Sequence, residues 1–195
     1  MPKQEIWLVR HGETEWSRTG QHTGRIDIPL TQLGERQALA LRAELAGHDF
    51  ARVLVSPLRR ARRTCELAGY GPVAISTADL VEWNYGRCEG LTTAEIQQER
   101  PGWSIWGEGP EGGETVEEVG VRAQNVLASV SGTEGSIALF AHGHILRILT
   151  ATWLGLAPNA GRLFALSTSS ISLLGYEHGT RVIRNWNQIP LPASR

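Results

Sequence analysis

Ile6-Trp7-Leu8-Val9-Arg10-His11-Gly12 is the stretch on which the fold turns. Four apolar residues, too short a run for a helix, lead without alternation into two basic residues and a glycine. Such a run reads as a strand covered on both faces, the kind found in parallel sheets. Two more stretches share the pattern. Val53-Leu54-Val55 runs into Ser56-Pro57-Leu58-Arg59-Arg60, and Ile137-Ala138-Leu139-Phe140 runs into Ala141-His142-Gly143-His144. Weaker strand candidates are Val73-Ala74-Ile75, Ile171 to Tyr176 and Val182 to Trp186.

Helical patterns fill the intervals. Residues 32–46 repeat apolar side chains at Ala38, Leu41 and Leu45, and residues 58–68 gather Ala61, Cys65 and Ala68 on one side with arginines around the rest. Thr115 with Glu118 forms a capping box ahead of Val116, Val119, Ala123, Val126 and Val130. Residues 145–154 are apolar almost all round and predict a buried helix. Strands alternating with helices imply an α/β fold with three layers, a mostly parallel central sheet flanked by helices. No linker, repeat or low-complexity tract divides the chain, so residues 1–195 are expected to form a single domain. Ligands of such sheets bind beyond the carboxyl ends of the strands. All three strong strands end in His or Arg, which predicts that Arg10, His11, Arg60 and His142 meet there. Helices starting near Pro57 and Gly143 are expected to aim free N–H groups at the same place.

The composition narrows the chemistry. A net charge of −1 gives no global field toward nucleic acid or an anionic membrane, so affinity for anions must be local. Of 19 basic residues only Lys3 is lysine, which removes an internal Schiff-base or P-loop lysine and leaves arginine as the phosphate ligand. Cys65 and Cys88 have no metal or redox spacing and fit a reducing compartment. The opening Met1-Pro2-Lys3-Gln4-Glu5 is polar, lacking an apolar signal core, and no run is long enough to span a bilayer; the expected location is the cytoplasm.

Two arginines, two imidazoles and two helix ends suit a phosphate dianion, and charge-assisted bonds there contribute about 1.5–3 kcal/mol each. They would stabilise the equatorial oxygens during phosphoryl transfer. There is no Cys-x5-Arg loop, and the acidic residues lack a two-metal spacing, so no metal or other cofactor is expected. A neutral histidine is then the natural nucleophile. The proton donor should be a carboxyl; Glu82, within Asp79-Leu80-Val81-Glu82-Trp83-Asn84-Tyr85-Gly86, lies among aromatics expected to raise its proton affinity.

Arg10-His11-Gly12-Glu13-Thr14 resembles the signature of the histidine phosphatase superfamily, in its phosphoglycerate-mutase-like branch. Ser56-Pro57-Leu58-Arg59-Arg60-Ala61 with Thr64, Leu80 through Gly86 with Glu89-Gly90, Gly113-Glu114-Thr115 and Ala141-His142-Gly143 follow in the order of that family. The resemblance implies that His11 is phosphorylated and that Glu82 protonates the leaving alcohol and then activates water. It further implies that Arg10, Arg60 and His142 hold the phosphoryl oxygens, with Gly143 and Tyr85 beside them. Ser17, Thr23 and Gly24 occupy places where family mutases contact phosphate or substrate, although Ser17 replaces their common asparagine. Glu82 to Gly86, Trp103 to Trp106, Ala141 to Arg147 and Gln21-His22-Thr23-Gly24 are similar to sedoheptulose-bisphosphatase-like sugar phosphatases. The resemblance thus implies a phosphomonoesterase for a small phosphorylated metabolite, a sugar phosphate or bisphosphate. The alternatives are a phosphoglycerate mutase requiring a bisphosphoglycerate primer, whose arginine-bearing insertion is missing here, and a non-catalytic phosphate-binding adaptor.

Other readings compete at particular residues. Arg59, Arg62 and Arg63 fit a solvated face better than a nucleic-acid patch, and the arginines near His11, His142 and His144 disfavour a metal. His22 and His144 line the pocket or pack beside it. Trp83, Trp103 and Trp106 either wall a sugar phosphate or pack a lid, whereas Trp7 and Trp153 belong to the core. His48 and His178 read as surface residues, and Glu13 and Glu15 as a charged loop.

Overall fold

A computed structural model describes residues 4–190; the first three residues of the polar opening therefore lie outside the described part. In chain order the elements are β1 (Glu5–Arg10), α1 (Glu15–Thr19), α2 (Gln32–Glu44), β2 (Phe50–Val55), α3 (Arg59–Leu67), β3 (Ala74–Ser76), α4 (Thr93–Glu99), α5 (Val116–Val130), β4 (Ser136–Ala141), α6 (Gly143–Trp153), β5 (Ile171–Glu177) and β6 (Thr180–Gln188). The six strands form one sheet in the order β3-β2-β4-β1-β5-β6. From β3 to β1 neighbours run parallel, while β5 and β6 are antiparallel additions at one side. The expected three-layer α/β fold is the one observed.

The period of two along each strand separates the layers. Ile6, Leu8, Leu54, Ile137 and Leu139 pack in one cluster with Val119, Ala123 and Val126 of α5 and Ile145, Leu146 and Leu149 of α6. Val9, Val53, Val55, Ala138 and Phe140 pack in the other with Leu41 of α2 and Ala61 and Cys65 of α3. Trp153 is buried as expected, but Trp7 is only partly so, lying at the margin of the second cluster against Phe50 and the exposed His48.

The register fixes the site. Arg10 pairs with Ala141, so the residues after them, His11 and His142, leave the sheet side by side. Val55 pairs with Phe140, which brings Ser56 to the same edge. The loop after β1 lies against α2 so closely that a Cβ on Gly12 would stand 2.4 Å from the Gly34 carbonyl oxygen, and one on Gly34 would stand 2.1 Å from that of Glu13. Only glycines permit this approach.

Candidate active site

The floor of the site is built by strand ends. The His11 N–H donates to the Ala141 carbonyl, the His11 carbonyl accepts from Ser169 N–H, and Gly12 N–H donates to Thr64 Oγ1 on α3. The His11 and His142 rings stand 5.1 Å apart between centroids. Arg60 is fully buried: Nε donates to His142 Nδ1 at 3.0 Å, and its terminal nitrogens donate to the Thr23, Gly24 and Ile26 carbonyls. Arg10 Nη1 donates to the Leu166 carbonyl, leaving a buried Nε without a partner among the described residues. Gly143, whose added Cβ would lie 3.4 Å from Arg10 Cζ, lets that guanidinium cross the start of α6.

Hydrogen bonds assign both imidazole tautomers. His11 Nδ1 sits 2.7 Å from the Gly12 carbonyl, which only accepts; the proton is therefore on Nδ1 and the Nε2 lone pair is free. His142 Nδ1 accepts from Arg60, so its Nε2–H donates to Ser56 Oγ at 2.7 Å. Burial, reinforced by the charges of Arg60 and Arg10, lowers the pKa of His11 well below 6.5. The same forces lower His142, with His11 as a further neighbour. Both rings are neutral at pH 7. Burial, with a smaller contribution from Glu66, raises Cys65 to about 12, so this thiol is no competing nucleophile.

The roof is an irregular segment carrying Glu82. Its carboxylate accepts from its neighbour Trp83 N–H at 2.9 Å and from His144 and Ile145 N–H at 3.0 Å, in the first turn of α6. The aromatic surroundings read from the sequence are thus only half of its environment. Tyr85, whose hydroxyl burial holds well above its ordinary pKa, shares a hydrogen bond of 2.6 Å with His144 Nδ1. Between floor and roof lies a cavity of about 190 Å³ lined by Arg10, His11, Glu82, Tyr85, Gly143 and His144, and also by Ser17, His22 and Thr23. A larger hollow of about 420 Å³ on the outer side of α3 is lined by Arg59, Arg62 and Arg63 but has no imidazole, so chemistry and not size selects the site.

Several expectations need correction. The two helix ends are only partly free for an anion: Arg59 N–H donates to Asp27 Oδ1, Leu58 N–H faces Ser56 Oγ, and in the first turn of α6 the His144 and Ile145 N–H groups donate to Glu82. Trp83 and Trp103 are fully buried and form no wall. They pack behind the rings that do, Trp103 against His22 and Trp83, with Trp106, against His144. Arg60 and His142 stand behind the cavity surface, not on it. Ser17 reaches the cavity, yet its hydroxyl is held by Thr14 in the capping box of α1. Gly24 serves close packing, since a Cβ there would lie 2.5 Å from the Trp83 carbonyl oxygen.

Sequence reasoning passed over three residues of the site. Ser56 orients His142 from inside a motif noted for its arginines. Arg147 faces the cavity, its guanidinium over Trp106 and bonded to the Gly161 and Arg162 carbonyls. Its spacing of four from Gly143 on a helix was the available signal. Gln21 also lines the cavity and gave no signal of its own beyond the four-residue likeness. Among the described residues no group of three His, Cys, Asp or Glu side chains could hold a metal ion.

The sequence model of the histidine phosphatase superfamily, branch 1, matches residues 6–189. The chain belongs to this superfamily. An acid phosphatase of Mycobacterium tuberculosis is 40% identical over 181 residues, covering 90% of this chain and 88% of that protein. The sedoheptulose 1,7-bisphosphatase of Saccharomyces cerevisiae is 37% identical over 183 residues, covering 76% of this chain and 67% of that protein. Among solved structures, the product of the Mycobacterium tuberculosis reading frame Rv3214 superposes with a TM-score of 0.90 at 36% identity, covering 96% of this chain and 99% of its own. The six-stranded sheet flanked by helices is thus the phosphoglycerate-mutase-like fold.

Proposed function

We propose that this histidine phosphatase, as a single domain over residues 1–195, hydrolyses a small phosphorylated metabolite through a phosphohistidine on His11. The observation that carries the reading is the His11 tautomer: Nδ1–H is committed to Gly12, and the neutral ring presents its Nε2 lone pair in a cavity shared with Arg10 and Glu82. In the first step Nε2 bonds to phosphorus as the P–O bond to the leaving alcohol breaks. The departing oxygen takes the Glu82 proton. In the second, Glu82 takes a proton from water, whose oxygen displaces Nε2 and releases inorganic phosphate. Arg10 meets the phosphoryl oxygens directly, while Arg60 and His142 add positive charge and a fixed dipole from behind.

Relatives named as an acid phosphatase and a sedoheptulose bisphosphatase support a sugar phosphate or bisphosphate as substrate. A cytoplasmic location fits two unbridged buried cysteines. No described helix is long and apolar enough to cross a membrane. The exposed Arg63, paired with Glu35 and Glu66, supports a solvated arginine face and no nucleic-acid partner.

His11→Ala should abolish turnover with far-UV and near-UV circular dichroism unchanged, and rapid quench of the wild type should trap acid-labile phosphate on the protein. Turnover in a folded His11→Ala variant would remove the nucleophile assignment.

A further inference from the structure

Arg122 does not reach the cavity, yet it holds the segment that carries the proton donor. It projects from α5 with its side chain 14% exposed. Nε and Nη2 donate to the two carboxylate oxygens of Glu114 at 2.8 and 2.9 Å. Nη1 donates to the Asp79 carbonyl at 3.0 Å and the Val81 carbonyl at 2.6 Å, and Nη2 makes a longer contact of 3.5 Å with that of Glu82 itself. All five donors of the guanidinium have partners. Three of them fall on residues 79–82, a stretch with no strand ladder to fix it.

Glu114 grips the same segment from its other end. Its carboxylate accepts from Asn84 N–H at 2.8 Å, its carbonyl from Trp83 Nε1 at 2.7 Å, and its N–H donates to the Asn84 carbonyl at 3.0 Å. Burial pushes the Glu114 carboxyl up, but the hydrogen bonds from Arg122 and Asn84 outweigh it and leave the pKa below its ordinary value. The residues from Asp79 to Asn84 are therefore clasped on both sides of Glu82 by one ion pair.

We propose that the Arg122–Glu114 pair is the positioning device for the general acid, setting where the Glu82 carboxyl meets the leaving oxygen. The inference rests on the assignment of Glu82 as proton donor. A planar five-donor fork is required, because lysine has three donors and no fixed geometry for ion pair and carbonyls together. Displacing a reacting group by an ångström is enough to cost about 10²-fold.

The test compares alkyl and aryl phosphomonoesters, since only the former need protonation on leaving. Arg122→Gln should lower kcat on an alkyl phosphate by about tenfold or more. Its effect on p-nitrophenyl phosphate should be several times smaller, with KM for both little changed. Arg122→Lys should fall between wild type and Arg122→Gln, and it serves where the glutamine variant fails to fold. In a Glu82→Gln background, Arg122→Gln should cost almost nothing further on the alkyl ester. Equal losses on both esters, or losses that multiply in the double variant, would overturn the positioning role. If Glu82→Gln alone shows no preference for the alkyl ester, the proton-donor assignment falls and this inference with it. A split in Glu82→Gln without one in the Arg122 variants removes only the latter.

Discussion

Floor and roof of the cavity are held by different forces. On the floor, His11, Ser56 and His142 follow directly from β1, β2 and β4, and their positions come from a backbone ladder whose register leaves no freedom. On the roof, Glu82 sits between two short 3₁₀ turns, at Ala78–Leu80 and Gly86–Cys88, and side chains hold it. Arg122 and Glu114 grip one side, while Glu89 accepts from the Gly24 and Ile26 N–H groups of the loop whose carbonyls hold Arg60. A side chain exchanged on the floor alters chemistry with little displacement of backbone. One exchanged on the roof alters geometry.

The largest difference should come from Glu82→Gln. An amide cannot deliver the proton, and a positioned acid contributes about 10²–10⁴-fold. Turnover of alkyl phosphates should fall by that order, and turnover of aryl phosphates by far less. Steady-state assays on both esters check this. An equal loss on the two would mean that the roof does not act on the leaving group.

The same contrast explains how much was legible in the sequence. The floor could be read because a buried parallel strand has a composition of its own, and three such strands end in His or Arg. The sheet, the main helices and the convergence of His11, Arg60 and His142 followed from that. Short elements were missed: α1 has five residues and α4 seven, too few for an apolar period. The capping box Thr92 to Glu95 was the one local sign of α4. Arg122 was invisible because nothing in a helical pattern says which carbonyls a polar residue will meet. Fully free helix ends were expected because each N-terminus has unpaired N–H groups, but side chains distant in sequence, Asp27 and Glu82, claim those of Arg59, His144 and Ile145.

Acid should expose a cost shared by floor and roof. His11 and His142 below, and His144 above, all have pKa values held well under 6.5, foremost by burial. The unfolded chain takes up protons on these rings near pH 6.5 while the folded chain stays neutral, so their contribution is complete above that pH and is lost as pH falls toward the folded values. Each ring adds a slope of up to about 1.4 kcal/mol per pH unit in this window, above the range in which ordinary carboxylates protonate. Urea unfolding between pH 7.5 and 5 should show stability falling with acid, and the acid limb of kcat/KM should lie below pH 6.5. A flat stability profile would contradict three neutral buried rings.

Ser56→Ala should give the smallest effect and the sharpest test of the floor. The variant removes the acceptor of His142 Nε2–H at a site with no solvent access on either residue, and a buried donor left unpaired costs about 1–3 kcal/mol. For a chain of this size that is a fall in Tm of about 2–4 °C for each kcal/mol. Arg60 still holds Nδ1, so the ring keeps its place and its tautomer. Turnover should therefore decline by one small factor, the same for alkyl and aryl esters, because nothing on the leaving-group side has moved. A loss that depends on the leaving group would show that floor and roof are mechanically joined through His142 and α6, and would end the distinction between ladder-held and side-chain-held halves.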